Sequence, residues 1–382
     1  MKIVQVIPTL GIGGAEKFVV SLCNEMAEQS HHEIIVCSLY GFENEEYRRL
    51  KDHFDRSVTI TELGKKKGLD PFIFFRVYRL IRKLKPDVVN THMGAIYYFF
   101  PLLFLYSKTR FFHTIHTMPD QEDRRGFLTT IKRFFIKRSW LNIIALSKLN
   151  AENARELYGL TGTRQAENLR QIENGIQPFQ PGPDFESAKQ EIESLKLNSE
   201  TRVLTHVGRI NPVKNQAMMI EAIRRMETEQ KNVILIFLGY ASADQTELEK
   251  TLFENCPQQV KYLGRRSNIR DFLALSDGFC LSSHYEGCPI TLLEALSVGA
   301  IPLCTPVGGM PDLVEHSVTG FLSHDVTSES YYELLNDFQS RSTDELSELK
   351  KKCIESFNDR FDIATCSEKY LNYYNEKLAS QS

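Results

Sequence analysis

The sequence predicts an α/β protein made of two Rossmann-like domains, and three observations carry that reading. Short apolar runs alternate with stretches of helical spacing from the first residues onward. A second series of the same kind begins near Arg202. Between the two lies NGIQPFQPGPDFE (174–186), rich in proline and glycine. A chain of 382 residues also exceeds the roughly 100 to 200 residues of a single domain.

In chain order, KIVQVI reads as a first strand. Phe18, Val19, Leu22 and Met26 follow at helical spacing, and EIIVCSL makes a second strand. PDVVNTH, RFFHTIHT and NIIALS extend the series, as in a parallel sheet covered by helices on both faces. The second series runs RVLTHVGR, NVILIFLG, QVKYLG, DGFCLSS and AIPLCTPVG. The expected division is a first domain over 1–178, a linker over 179–200, a second domain over 201–360, and a helical segment over 361–382 returning to the first domain. AIYYFFPLLFLY (95–106) is the most apolar stretch, but it falls short of the roughly 20 residues that cross a bilayer. It reads as a core helix.

Hydrophobic content of 42% with 25% charged residues excludes a disordered chain. The N-terminus reads as a strand rather than a secretory signal. The eight cysteines form no CxxC pair and sit mostly in apolar runs, which suits free thiols in a reducing, cytoplasmic setting. The net charge of −3 is unevenly spread: residues 1–175 carry 26 Lys and Arg against 19 Asp and Glu, the remainder 20 against 30. Between Lys65 and Arg138 the ratio is 16 to 5. A basic half joined to an acidic half points to a polyanion or an anionic surface facing the first domain.

Three motifs carry chemistry. In IPTLGIGGAE, Gly11, Gly13 and Gly14 follow a strand and open a helix, where backbone N–H groups can receive a phosphate. Glu16 stands where a dinucleotide fold wants a third glycine, and VCSLY offers no acidic residue at the end of the next strand, so NAD is not the ligand this pattern favours. In HVGRINPVKNQ, Arg209 and Lys214 share one strand-to-helix loop and can clamp a diphosphate. In SSHYEGCPITLLEAL, Pro289 falls in a first helical turn, and the N–H groups of Cys288, Ile290 and Thr291 lie at that helix start. Glu286 and Glu294 bracket it, and carboxylates accept hydrogen bonds from sugar and ribose hydroxyls. Each motif has a plainer reading: a tight turn, solvated basic residues, a helix cap. Two carboxylates beside a sugar also describe a glycosidase, but such an enzyme has no use for Arg209, Lys214 and a glycine-rich loop.

EGCPITLLEAL resembles the E-x7-E signature of retaining, nucleotide-sugar-dependent glycosyltransferases of the GT-B fold, family 4. GIGGAEKFVVSLCNEMA, HTIHT, ENGI, HVGRINPVKNQ and VTGFL match in order along nearly the whole chain. The resemblance implies that two facing Rossmann-like domains bind a nucleotide-sugar donor, a UDP-sugar, mostly on the second domain. Arg209 and Lys214 would hold the diphosphate, Glu294 the ribose, and Glu286 the donor sugar, helped by Gly287, Cys288, Ile290 and Thr291. Arg265 would meet the base through its backbone, Gly13 and Gly14 the phosphate, and His116 the donor sugar. Cys288 and Asp312 depart from the residues frequent at their positions. No D-x-D motif is present, and neither metal nor cofactor is implied.

The first domain would take a glycan or lipid-linked acceptor in cell-surface polysaccharide synthesis; nucleic acid is not expected as a partner. In FLTTIKRFFIKRSW, Leu128, Ile131, Phe134 and Phe135 share a side, with Lys132, Arg133, Lys137 and Arg138 largely elsewhere. That pattern suits either an interfacial helix on an anionic inner membrane surface or a core helix with a solvated basic face. A sugar-nucleotide epimerase, a glycoside phosphorylase and a non-catalytic nucleotide-sugar-binding subunit are the rival readings on the same architecture.

Overall fold

The structure, a computed structural model, describes residues 1–380 apart from Ile12, Ser30, His31, Leu69, Ser107, Arg124 and Arg125, and describes only the backbone of Thr163 and Arg164. Ile12 of the glycine turn and Arg124 and Arg125 of the basic stretch therefore lie outside the described residues. The chain forms two compact units, Met1–Gln177 with Phe361–Ser382, and Pro178–Arg360.

The first unit is a seven-stranded sheet of β1 (Lys2–Ile7), β2 (Glu33–Tyr40), β3 (Thr59–Lys65), β4 (Val88–His92), β5 (Arg110–Ile115), β6 (Leu141–Ala145) and β7 (Leu169–Gln171). The order is β3-β2-β1-β4-β5-β6-β7, parallel throughout, with Val4 between Ile35 and Val89. Both faces are covered, so β4 and β6 are buried at every position. The helices are α1 (Gly14–Gln29), α2 (Phe72–Leu84), α3 (Phe100–Leu105), α4 (Pro119–Glu122), α5 (Phe127–Lys137), α6 (Lys148–Tyr158) and the single turn α7 (Thr163–Ala166). Alternation along β1 sends Val4 and Val6 into one core with α2, α3, α5 and α6, and Ile3 and Ile7 into another with α1. The apolar 95–106 stretch divides into a 3-10 segment (Met93–Tyr98) and α3, and it leaves Phe104 and Leu105 exposed.

The second unit opens with α8 (Phe185–Leu195), followed by β8 (Arg202–Val207), α9 (Gln216–Thr228), β9 (Val233–Leu238), α10 (Thr246–Glu254), β10 (Val260–Gly264) and α11 (Ile269–Ala274). It continues through β11 (Gly278–Leu281), α12 (Ile290–Val298), β12 (Ile301–Cys304), α13 (Met310–Leu313), β13 (Phe321–Leu322), α14 (Ser328–Ser340) and α15 (Thr343–Arg360). Its sheet runs β10-β9-β8-β11-β12-β13. In each unit the strand order reverses once, between β1 and β4 and between β8 and β11. Ligands of doubly wound sheets bind beyond the carboxyl ends of strands at such a switch point.

The last helix, α16 (Ile363–Ala379), packs in the first unit. Tyr370, Tyr373 and Tyr374 are buried there with α1 and β5, and the Tyr374 ring lies 4.6 Å from that of Phe112. Arg110 Nε donates to the Lys377 carbonyl at 2.8 Å. All eight cysteines are free thiols, and six are buried.

Candidate functional site

In the second unit, the loops after β8, β11 and β12 meet at the switch point. The loop after β8 is fixed at both ends. Asn211 caps its 3-10 turn by accepting from the Lys214 N–H at 3.1 Å, and Gln216 Nε2 donates to the Arg209 carbonyl at 2.8 Å. Ser282, on the loop after β11, donates to the carbonyls of Lys214 and Asn215 at 2.9 Å each. The His284 N–H reaches the Val213 carbonyl at 2.8 Å. These bonds bring Lys214 Nζ within 2.5 Å of Glu286 Oε1, which also accepts from Ser283 Oγ at 2.5 Å. Glu286 is buried, and a cation and a hydroxyl meet its carboxylate oxygen.

Tight backbone contacts hold this corner. A Cβ on Gly239 would lie 1.8 Å from the Gly208 carbonyl oxygen, and one on Gly308 would lie 1.7 Å from that of Glu286. Only glycine lets those loops approach so closely. His206, beneath the β8 loop, donates from Nδ1 to the Cys280 carbonyl at 2.9 Å, and burial lowers its imidazole to about 4.

α12 begins at Ile290, with Pro289 as an extended N-cap at ψ 121°; the sequence had placed the proline one residue further in. Gly287, Cys288, Ile290 and Thr291 lead into the first turn, whose first N–H groups have no intrahelical acceptor. Glu294 sits in the buried part of this helix. Burial lowers the Arg270 guanidinium, with Glu294 and Asp271 pulling the other way. Arg270 Nη2 donates to Ser297 Oγ at 3.0 Å, and Ser297 Oγ donates to the Glu294 carbonyl at 2.8 Å. Arg209 is exposed on its loop. Arg265, just after β10, is exposed too, and its guanidinium lies 5.1 Å from the centre of the Tyr240 ring.

In the first unit, His116 follows β5 at the switch-point end and is partly exposed. Its Nε2 lies 2.8 Å from His92 Nδ1, and His92 Nε2 lies 2.9 Å from Gln5 Oε1, which also accepts from Asn90 Nδ2 at 2.9 Å. An amide oxygen only accepts, so His92 donates from Nε2 and its Nδ1 accepts from His116 Nε2–H. Burial holds the His116 imidazole down at about 4 against the pull of Glu122, and His92 well below its ordinary value. His116 is thereby a neutral imidazole with Nδ1 unprotonated. The glycine turn is less open than its residues promise, because a Cβ on Gly13 would meet Glu16 Oε2 at 2.3 Å. Burial raises the Glu16 carboxyl, which accepts from Thr9 Oγ1. Gly14 is the first residue of α1.

One expectation needs correction. Lys132 is not part of a solvated basic face of α5 but is fully buried. Its ammonium lies 2.8 Å from Asp123 and 3.4 Å from Glu122. The buried stripe of α5 is Thr129, Lys132, Phe135 and Ile136, and Leu128 and Phe134 point to solvent. Tyr97 and Tyr158 donate to Asp123 at 2.5 and 2.6 Å, and His113 Nε2 lies 2.5 Å from Glu122 Oε1. Burial alone would raise the Glu122 carboxyl, but His113 and Lys132 outweigh it and hold it at about 2. This cluster anchors α4 and α5 behind the segment that follows His116.

Two family descriptions match the chain, Glycosyltransferase Family 4 over residues 12–178 and Glycosyl transferases group 1 over residues 187–357. The chain belongs to the family 4 glycosyltransferases. A relative from Escherichia coli, UDP-Gal:alpha-D-GlcNAc-diphosphoundecaprenol alpha-1,3-galactosyltransferase, is 26% identical over 328 residues, covering 80% of this chain and 79% of its own. Among solved structures, HepE of Anabaena in complex with UDP superposes with a TM-score of 0.77 at 19% identity, covering 98% of this chain and 100% of its own. A glycosyltransferase from Rickettsia africae superposes at 0.80 with 18% identity, covering 99% and 98%. These likenesses show the GT-B fold.

In this glycosyltransferase the second unit collects Lys214, Glu286 and the start of α12 in one place, with Arg209 on the same loop as Lys214. The first unit places Gly13, Gly14 and His116 at the carboxyl ends of their strands. Sequence reasoning missed His92, Ser283, Arg270 and Tyr240. The first ends PDVVNTH, and alternation along that strand is the only signal that could have paired it with His116. No helix among the described residues is long and apolar enough to cross a membrane.

Proposed function

We propose that this glycosyltransferase moves a hexosyl group from a UDP-sugar, with retention of anomeric configuration and without a bound metal, to a lipid-diphosphate-linked glycan. The reaction would serve cell-surface polysaccharide assembly at the cytoplasmic face of the membrane, with the basic region 65–138 turned to that surface. The observation that carries the reading is the Lys214–Glu286 pair at the start of α12. It puts a cation for a leaving diphosphate and an acceptor for sugar hydroxyls side by side at a switch point. The UDP complex of the Anabaena neighbour and the diphosphoundecaprenol substrate in the E. coli relative's name support the donor and acceptor classes.

In this scheme Arg209, Lys214 and the α12 N–H groups stabilise charge growing on the departing diphosphate. Glu286 accepts from donor-sugar hydroxyls, with the N–H groups of 287–291 beside it, and Glu294 accepts from the ribose. Arg265 meets the base through its backbone. The acceptor hydroxyl attacks the anomeric carbon on the face the diphosphate leaves. The carbon–oxygen bond to phosphate breaks, and the hydroxyl proton passes to the leaving phosphate oxygen.

The test is UDP release and product formation with a short-chain lipid-diphosphate glycan, after a thermal-shift screen of UDP-, GDP- and ADP-sugars. UDP-sugars should raise the melting midpoint. Lys214→Ala and Glu286→Ala should each lower turnover by about 100-fold or more with the fold retained. Turnover that survives both substitutions overturns the site. Donor consumption without acceptor would point to an epimerase instead.

A further inference from the structure

The three helices α2, α3 and α5 cover the same face of the first sheet, and their outer sides are unusually apolar. Phe72 and Phe75 on α2, Phe104 and Leu105 on α3, and Phe127 and Phe134 on α5 are between 40% and 79% exposed. Single exposed apolar residues are ordinary, but a cluster of this kind marks a contact surface. The rings of Phe104 and Phe134 lie 6.3 Å apart, and Phe104 lies 5.2 Å from Trp140. Between α3 and α5 runs a groove of about 620 Å³ whose lining is almost wholly apolar, floored by Phe100 and Phe135.

The charges on these three helices are of one sign. None of the three helices contains an Asp or a Glu. Arg79, Arg82 and Lys83 of α2, Lys137 of α5 and Arg138 after it are exposed, and the Arg138 guanidinium lies 4.6 Å from the centre of the Phe134 ring. Aromatic side chains in the middle with long cationic ones at the edge match the boundary between acyl chains and anionic headgroups. A basic protein-binding groove would call for acidic partners over the whole face; here the cations lie around an uncharged centre.

We infer that the α2–α3–α5 face is a membrane-insertion surface that seats the first unit on an anionic phospholipid bilayer, with Phe104, Phe127 and Phe134 entering below the headgroups. This deepens the proposed function and rests on its lipid-linked acceptor. It differs from attachment through basic charge alone, because the phenylalanines would carry the depth and the cations the lipid preference.

The chain's one tryptophan, Trp140, lies beside Phe104 and Phe134 and serves as the probe. The full chain is mixed with phosphatidylcholine vesicles with and without phosphatidylglycerol, without donor or acceptor. Sedimentation with the anionic vesicles, a blue shift of Trp140 emission and its quenching by brominated lipid are expected. The double substitution Phe127→Ser/Phe134→Ser should weaken partitioning by roughly tenfold or more with an unchanged melting curve. Arg82→Glu/Lys137→Glu should abolish the preference for phosphatidylglycerol. Failure of the wild type to sediment, equal binding by the phenylalanine variant, or a wild-type dimer in analytical ultracentrifugation that this variant dissociates would each overturn the inference. Because binding is read without turnover, its failure leaves the proposed transfer standing if a soluble acceptor is still glycosylated. Loss of transfer with binding intact counts against the proposed function alone.

Discussion

At Gly308 the main chain adopts φ +57°, and a side chain there would collide with the Glu286 carbonyl oxygen, which also accepts from the Gly309 N–H at 3.0 Å. Gly308→Ala therefore combines a left-handed backbone with a clash, and it should cost roughly 2 to 4 kcal/mol in urea denaturation. Donor affinity should fall as well, because the relief of the clash moves the segment carrying Glu286. A variant with wild-type stability and donor affinity would show that the two loops part freely. Residues of this kind are hard to read from sequence. Lys214 and Glu286 are both legible as candidates, yet the ion pair between them joins positions 72 apart in the chain, and nothing local announces it.

Among the elements, α5 is the most instructive. Its amphipathic pattern is real, and Phe135 stays buried with Ile131 packed on the same core. The buried Lys132 nevertheless turns the stripe so that Leu128 and Phe134 face outward, since the ammonium finds Asp123 and Glu122, with two tyrosine hydroxyls on Asp123. Removing one partner of such a cluster leaves a buried charge uncompensated. Lys132→Met should therefore destabilise the first unit by about 3 to 5 kcal/mol, measured by its urea midpoint, while Lys132→Met/Asp123→Leu should recover part of that loss. A single variant costing under about 1 kcal/mol would mean the cluster is not sealed from water. The strands divide by the same physics. β4, β6 and β9 are buried at every position; β9 spells a continuous apolar run, VILIFL, whereas β4 and β6 carry buried polar residues such as Asn90, His92 and Asn142. β3 sits at a sheet edge with alternating exposure, and β7 and β13 are two or three residues long. β7 and β13 are too short to carry a pattern that distinguishes them from loops.

Over the whole molecule, the buried His116, His206 and Glu122 link stability to pH in one direction. His116 and His206 are held neutral in the folded chain at about 4, against an ordinary 6.5. The unfolded chain takes up those protons first as pH falls. The stability they contribute is complete above 6.5 and is lost as pH drops toward 4. For the fully buried His206 the loss is on the order of 3 kcal/mol. Glu122, ordinarily near 4.5 and held at about 2, adds a loss at lower pH with the same sign. Calorimetry should show the melting temperature falling steadily from pH 7 to pH 4. A flat profile across that window would mean the imidazoles are open to water in the folded chain.

The return of α16 to the first unit makes the second unit an insertion within the first. During synthesis, Tyr370, Tyr373 and Tyr374 leave the ribosome only after residues 178–360 have been made. The core beneath α1 and β5 stays open at one side until then, so the unit begun first is the last to close. A gene fragment ending at Gln177 would encode a sheet without its lid, whereas the second unit, Pro178–Arg360, is one uninterrupted stretch of chain.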